Sequence, residues 1–188
     1  LFVGGPSANL TDAFLGEYRP VPCADGSTDC LPTALQAISS LSKGTVLHAA
    51  GCTDGPQCTG INTDAAVTAA KASDVTILVV GLKYGGEGSS GGQQAAQTNG
   101  EGRDRHNITL PGKQQSLCEA VIAVGKPTVL VVLGGGSVSV GFAKDHASVA
   151  IVSMGSGGQA GAQALAEVLF GSVTPSGRLP HTMYGEGW

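Results

Sequence analysis

Two uninterrupted apolar runs constrain this chain most: Val75-Thr76-Ile77-Leu78-Val79-Val80-Gly81 and Thr128-Val129-Leu130-Val131-Val132-Leu133. A strand with one wet face alternates apolar and polar residues. A short, β-branched run without that alternation needs cover on both faces, as a central parallel strand has. Val149-Ala150-Ile151-Val152 reads as a third buried strand, Thr45 to Ala49 as a further strand, and Leu1-Phe2-Val3-Gly4-Gly5 as a strand end entering a turn. The covers are helical stretches. One runs from Thr33 to Leu41 with Leu35, Ile38 and Leu41 on one face. The next runs from a cap at Thr63-Asp64 to about Ser73, where Asp74 breaks it. Another is opened by Pro111 and turns Leu117, Val121 and Val124 inward. The last extends from Gly158 to Phe170 and is ended by Gly171. Strand–helix alternation predicts an α/β fold, a largely parallel sheet sandwiched by helices, in one domain over residues 1–188 without internal repeat or linker.

Composition narrows the partners. Hydrophobic residues make up 41% and charged residues 13% of the chain, which excludes a disordered charged tail. The net charge is −4 with no basic stripe, which argues against nucleic acid. No apolar run approaches the roughly 20 residues that span a bilayer. The opening and the closing Tyr184-Gly185-Glu186-Gly187-Trp188 are both abrupt, so the domain is expected to be incomplete at both ends.

Cys23 and Cys30 flank one turn-rich segment, and Cys52 and Cys58 flank another containing Gly55-Pro56. Either pair could close a local disulfide; free thiols or a metal are the alternatives, although no Cys-x-x-Cys is present. Cys118 falls in a helical pattern and is expected to be a buried free thiol. The sequons Asn9-Leu10-Thr11 and Asn107-Ile108-Thr109, with the cysteines, fit a secreted or cell-wall glycoprotein.

In open parallel sheets ligands meet the loops beyond the carboxyl ends of the strands. The loop following Val80 is roughly 25 residues long, well beyond an ordinary connection. It carries Lys83, Tyr84, Glu87, Glu101, Arg103, Asp104, Arg105 and His106 among many glycines. A solvated insertion is the plain alternative. Gly88-Ser89-Ser90-Gly91-Gly92 matches the pattern of a nucleophile elbow but lacks the helix behind it. Gly134-Gly135-Gly136 and Gly155-Ser156-Gly157-Gly158 are not complete nucleotide loops, and close strand–helix turns account for them better. His48, His106, His146 and His181 show no ligand spacing, so no metal site is read.

Several segments, in order, resemble family 3 glycoside hydrolases of the β-xylosidase and β-glucosidase branch. Phe14-Leu15-Gly16-Glu17-Tyr18 with Pro22-Cys23 is similar to its Leu-Gly-Asn-Tyr segment, and Gly51-Cys52 with Cys58 to its Gly-Cys…Cys segment. Glu101-Gly102-Arg103-Asp104-Arg105 followed by Leu110-Pro111-Gly112-Lys113-Gln114-Gln115 resembles Glu-x-x-Asp-Arg…Leu-Pro-Gly-x-Gln. Gly158-Gln159-Ala160-Gly161, Val168-Leu169-Phe170-Gly171 and Pro175-Ser176-Gly177-Arg178-Leu179-Pro180 with Thr182 complete the series.

The resemblance implies the second domain of a retaining, exo-acting β-glycosidase. Such a domain gives the acid/base Glu to an active site whose Asp nucleophile lies on a barrel domain of the same protein or a companion chain. The substrate would be a β-linked oligosaccharide or glycoside, and no cofactor is called for. Glu87, about seven residues past the strand, fits the acid; Glu101, ahead of Asp104-Arg105, is the alternative, with Gly88 to Asn99 as an insertion. Tyr84, Asp104 and Arg105 would bind substrate or hold the loop. The chain departs from the family at Met154-Gly155-Ser156-Gly157, where an aromatic residue and a proline are usual, and at Gly135-Gly136-Ser137-Val138, which lacks a proline. The 188 residues alone are expected to be inactive. The rival readings are a non-catalytic structural or glycan-binding domain derived from the family, and, further off, a nucleotide-binding flavodoxin-like module.

Overall fold

The computed structural model describes residues 1–16, 18–84, 99–100 and 105–185. Its strands are β1 (Phe2–Gly4), β2 (Leu47–Ala49), β3 (Thr76–Gly81), β4 (Thr128–Leu133) and β5 (Val149–Gly155). Its helices are α1 (Ala34–Leu41), α2 (Thr63–Lys71), α3 (Gln114–Ile122), α4 (Gly141–Lys144) and α5 (Gly161–Leu169), with a 3-10 turn at Gly55–Gln57. The strands form a parallel sheet in the order β2-β1-β3-β4-β5.

The two apolar runs are the centre of this sheet, paired from Thr76 opposite Thr128 to Gly81 opposite Leu133. Alternation along the strands sends side chains to both faces. Ile77, Val79, Val131, Leu133 and Val3 pack under Ala34, Ala37 and Ile38 of α1 and Ala162, Leu165 and Ala166 of α5. Leu78, Val80, Leu130, Val132 and Phe2 pack under Ala66 and Ala70 of α2 and Leu117, Cys118, Val121 and Ile122 of α3. Burying each Val, Leu or Ile side chain contributes about 1.5–3 kcal/mol, so the doubly covered strands dominate the core.

Several boundaries differ from the sequence reading for local reasons. Thr33 caps α1 through a capping box with Gln36. The buried face of α1 is Ala34, Ala37 and Ile38, leaving Leu35 and Leu41 partly covered. The α2 cap is Asn62, whose side chain accepts from the Ala65 N–H at 3.3 Å, not Thr63-Asp64. Pro111 does not open α3: the Lys113 N–H is drawn to the Cys58 carbonyl at 2.8 Å, and the helix begins one residue later. Gly158 forms a turn ahead of α5, and Gly171 follows the helix in the left-handed region. The expectation of a buried third strand is corrected. β5 is the sheet's edge, and Ala150, Ile151 and Ser153 are exposed, because β5 has one neighbouring strand and α4 beside it is only 4 residues long.

Candidate functional site

In this strand order the chain leaves β1 toward β2 and leaves β3 toward β4. The two loops diverge beyond the carboxyl ends of adjacent strands, which opens the crevice where such sheets bind ligands.

The loop after β1 is wired down. The Ser7 N–H donates to the Val79 carbonyl at 3.2 Å, and Ala8 accepts from the Leu35 N–H at 2.8 Å. Thr33 Oγ1 donates to Asn9 Oδ1 at 3.3 Å, and the Thr11 and Thr28 hydroxyls meet at 2.8 Å. The Phe14 carbonyl accepts from the Gly158 N–H at 2.9 Å, and its buried ring lies against Gly161.

The loop after β3 starts from a buried amide. Gln114 is fully buried; its Oε1 accepts from the Gly81 N–H at 2.8 Å, and its Nε2 donates to the carbonyls of Gly81 at 3.0 Å and Pro56 at 2.6 Å. Gly81 has φ +127°, and a Cβ there would sit 2.2 Å from the Leu133 carbonyl oxygen, so only glycine lets β3 turn out at this point. Two residues on, Lys83 pairs with Asp12 of the β1 loop at 3.0 Å. Tyr84 then forms a parallel bridge with Asn99, so the chain departs and returns at one neck. The Tyr84 hydroxyl rests on Gly135, where a Cβ would lie 2.7 Å away. Arg105 donates from NH1 to the Ser137 carbonyl at 3.0 Å and from NH2 to the Thr109 carbonyl. Partial burial lowers the pKa of its guanidinium. Tyr84 and Arg105 thus both lean on the loop after β4.

Of the other residues singled out by sequence, Glu87, Glu101, Arg103, Asp104 and the Gly88–Gly92 motif lie outside the described residues. Cys23 is joined to Cys30 with Cα atoms 5.8 Å apart, and Cys52 to Cys58 with Cα atoms 4.9 Å apart. Cys118 is free and buried, and burial, with the Glu119 carboxylate beside it, pushes its thiol up to about 12. Asn9 and Asn107 are exposed, and Asn107 Oδ1 accepts from the Thr109 N–H at 2.8 Å. Among the described residues no group of three His, Cys, Asp or Glu side chains could hold a metal ion.

The sequence pattern gives Gln114 no role, marks Asn99 only as the end of the insertion and carries no sign of Asp12. Only the Leu-Pro-Gly-x-Gln spacing pointed to the first. The others act across distances that no local pattern encodes. An open cleft of about 400 Å³ lies between the β1 loop and the turn before α5, lined by Leu15, Gly16, Tyr18, Arg19, Ser156 and Gly158.

The glycosyl hydrolase family 3 C-terminal domain model matches residues 1–187. The whole chain is 37% identical to "Beta-xylosidase/alpha-L-arabinofuranosidase 1" of Medicago sativa subsp. varia, covering 22% of that protein. It is 37% identical to "Beta-D-xylosidase 1" of Arabidopsis thaliana, covering 98% of this chain and 21% of that protein. A solved family 3 exo-β-xylosidase in complex with a xylobiose aziridine probe superposes with TM-score 0.79 at 31% identity, over 98% of this chain and 22% of its own. The chain therefore spans about a fifth of the length of the curated relatives it matches. A sequence match over nearly every residue and a shared five-stranded parallel sheet agree: the chain belongs to the C-terminal domain family of glycosyl hydrolase family 3.

Proposed function

We propose that this chain is the α/β domain of a longer, retaining, exo-acting β-glycosidase of β-xylosidase or β-glucosidase type, and that it supplies the acid/base glutamate to a site completed by a barrel domain. The observation carrying this reading is the neck at the switch point. Glu87 follows Tyr84 by three residues and Glu101 follows Asn99 by two. At about 3.3–3.6 Å per residue, chain length lets either one reach the crevice between the β1 and β3 loops. The xylosidase names of its relatives favour a terminal β-xylose.

Retaining hydrolysis divides the work between two carboxyl groups. A nucleophile carboxylate on the barrel attacks the anomeric carbon while the protonated glutamate of this domain gives its proton to the departing glycosidic oxygen. The same glutamate, now ionised, takes a proton from the water that releases the sugar. Carrying the two groups on separate domains lets their surroundings hold one ionised and the other protonated. No metal or organic cofactor enters.

The test uses the full-length protein with Glu87→Gln and Glu101→Gln. Losing the acid lowers kcat/KM on a β-xyloside with a poor leaving group by roughly 10²–10⁴-fold and spares a dinitrophenyl xyloside, which needs no protonation. If neither variant discriminates between leaving groups, the acid assignment fails. The 188 residues alone should hydrolyse neither substrate. The two disulfides and the exposed Asn9 and Asn107 support a secreted, N-glycosylated protein, which glycopeptide mass spectrometry checks.

One observation favours a second reading, glycan binding without catalysis. The cleft beside Tyr18 and Arg19 pairs an aromatic face with polar donors. Calorimetric titration of the isolated chain with xylo-oligosaccharides separates the two.

A further inference from the structure

We infer that Asp12 is a positioning residue for hydrolysis, acting through Lys83. The inference rests on the proposed reading, in which the segment beyond Tyr84 carries the acid. Asp12 sits on the β1 loop, whose position is fixed from several sides. Upstream, the Ser7 N–H holds the loop to Val79 of β3, and Ala8 is tied to Leu35 of α1. Thr11 is bonded to Thr28. Downstream, Leu15 closes a turn onto the Asp12 carbonyl at 3.1 Å, and Phe14 is buried and bonded to Gly158. The Asp12 carboxylate is therefore offered from a rigid platform.

Lys83 is placed differently. Backbone pairing to β4 ends at Leu82, whose N–H donates to the Leu133 carbonyl at 2.9 Å. Lys83 is the next residue, and its ammonium reaches Asp12 at 3.0 Å with both side chains about a quarter to a third exposed. Tyr84 follows, at the neck with Asn99 and against Gly135. The ion pair thus ties the first residue beyond the sheet's hydrogen bonds to a loop leaving the neighbouring strand. It bridges the switch-point crevice at its base and sets the direction in which the neck points.

An acid group must lie within hydrogen-bonding distance of the leaving oxygen, and small displacements are costly in rate. Breaking the ion pair should therefore impair the step that needs proton donation and leave substrate capture and the nucleophile untouched. The pair is part-exposed, so its loss should hardly affect folding.

The experiment uses the full-length protein with Asp12→Asn, Lys83→Met and the charge exchange Asp12→Lys with Lys83→Asp. Each is assayed on xylobiose and on dinitrophenyl β-xyloside, with Tm measured alongside. In the single variants kcat on xylobiose falls roughly 5–30-fold with KM near the parent value, kcat/KM on the dinitrophenyl substrate, which reports glycosylation alone, changes less than about twofold, and the exchange recovers most of the loss. An equal loss of kcat/KM on both substrates, a loss that tracks Tm, no loss, or no recovery on exchange overturns the inference. The glutamate variants keep the two readings apart. If Glu87→Gln or Glu101→Gln shows the leaving-group signature and Asp12→Asn does not, only this inference fails. If neither glutamate variant shows it, the acid reading fails first.

Discussion

The loops after β1 and β3 leave the carboxyl ends of adjacent strands, yet their described residues are held with a different emphasis. The β1 loop is fastened mainly by its backbone, through Ser7, Ala8 and the Phe14 carbonyl, and by one buried ring. Among its described residues the β3 loop is fixed by the Gln114 amide up to Gly81 and Leu82; beyond that, side chains add to the Tyr84–Asn99 bridge and to the Ser139 N–H on the Ile108 carbonyl, with Lys83 on Asp12, Tyr84 on Gly135 and Arg105 on two carbonyls. Backbone fastening tolerates most substitutions, because every residue carries the same N–H and C=O. Side-chain fastening depends on a few particular residues. On the proposed reading one loop serves as scaffold, and the other as the place where chemistry can be tuned.

The largest expected effect breaks the scaffold. Phe14→Ala leaves a cavity against Gly161 and should cost about 3–5 kcal/mol in urea unfolding. A cost below about 1 kcal/mol would remove the distinction between the loops. Next, Gln114→Leu leaves the Gly81 N–H and the Gly81 and Pro56 carbonyls without their amide partner. It should cost about 3 kcal/mol and also lower turnover of the full-length protein, because the start of the β3 loop shifts. Loss of stability with unchanged turnover would confine Gln114 to the core. The effect that is smallest at neutral pH, and grows only in alkali, sharpens the comparison by isolating the core beneath α3 from either loop. Cys118 titrates at about 12 when folded, against an ordinary 9.0, so the unfolded chain releases its proton first. Its contribution is intact below about pH 9 and is lost as pH rises toward 12, at a slope of about 1.4 kcal/mol per pH unit. Cys118→Ala should flatten that alkaline limb.

The sheet was legible because β3 and β4 lie in its middle, where covering both faces erases polar residues from the pattern. β5 misled for the same reason read backwards: Val149-Ala150-Ile151-Val152 is apolar, but an edge position leaves Ala150 and Ile151 exposed. Helix starts were missed where a tertiary contact outranked the local signal, as when Cys58 claims the Lys113 N–H ahead of α3. The placement of Leu1–Gly5 between β2 and β3 depends on strand order, which no local pattern records. At the site, Tyr84 and Arg105 stood out as polar residues in a long loop. Asp12 did not, since a lone Asp in a turn carries no mark of its partner. Glu87, Glu101 and Asp104 lie outside the described residues, so the acid rests on spacing and family likeness.

The neck between Tyr84 and Asn99 also bears on how such a chain can diversify. Where a segment exits and re-enters at one point, the ends are brought together once, whatever lies between them. Closing a longer loop then costs only about 0.6 kcal/mol per doubling of length. Descendants of this gene can lengthen, shorten or rewrite residues 85–98 while inheriting the sheet unchanged. In evolutionary terms the neck is a port, through which new sequence can be tried without putting folding at risk.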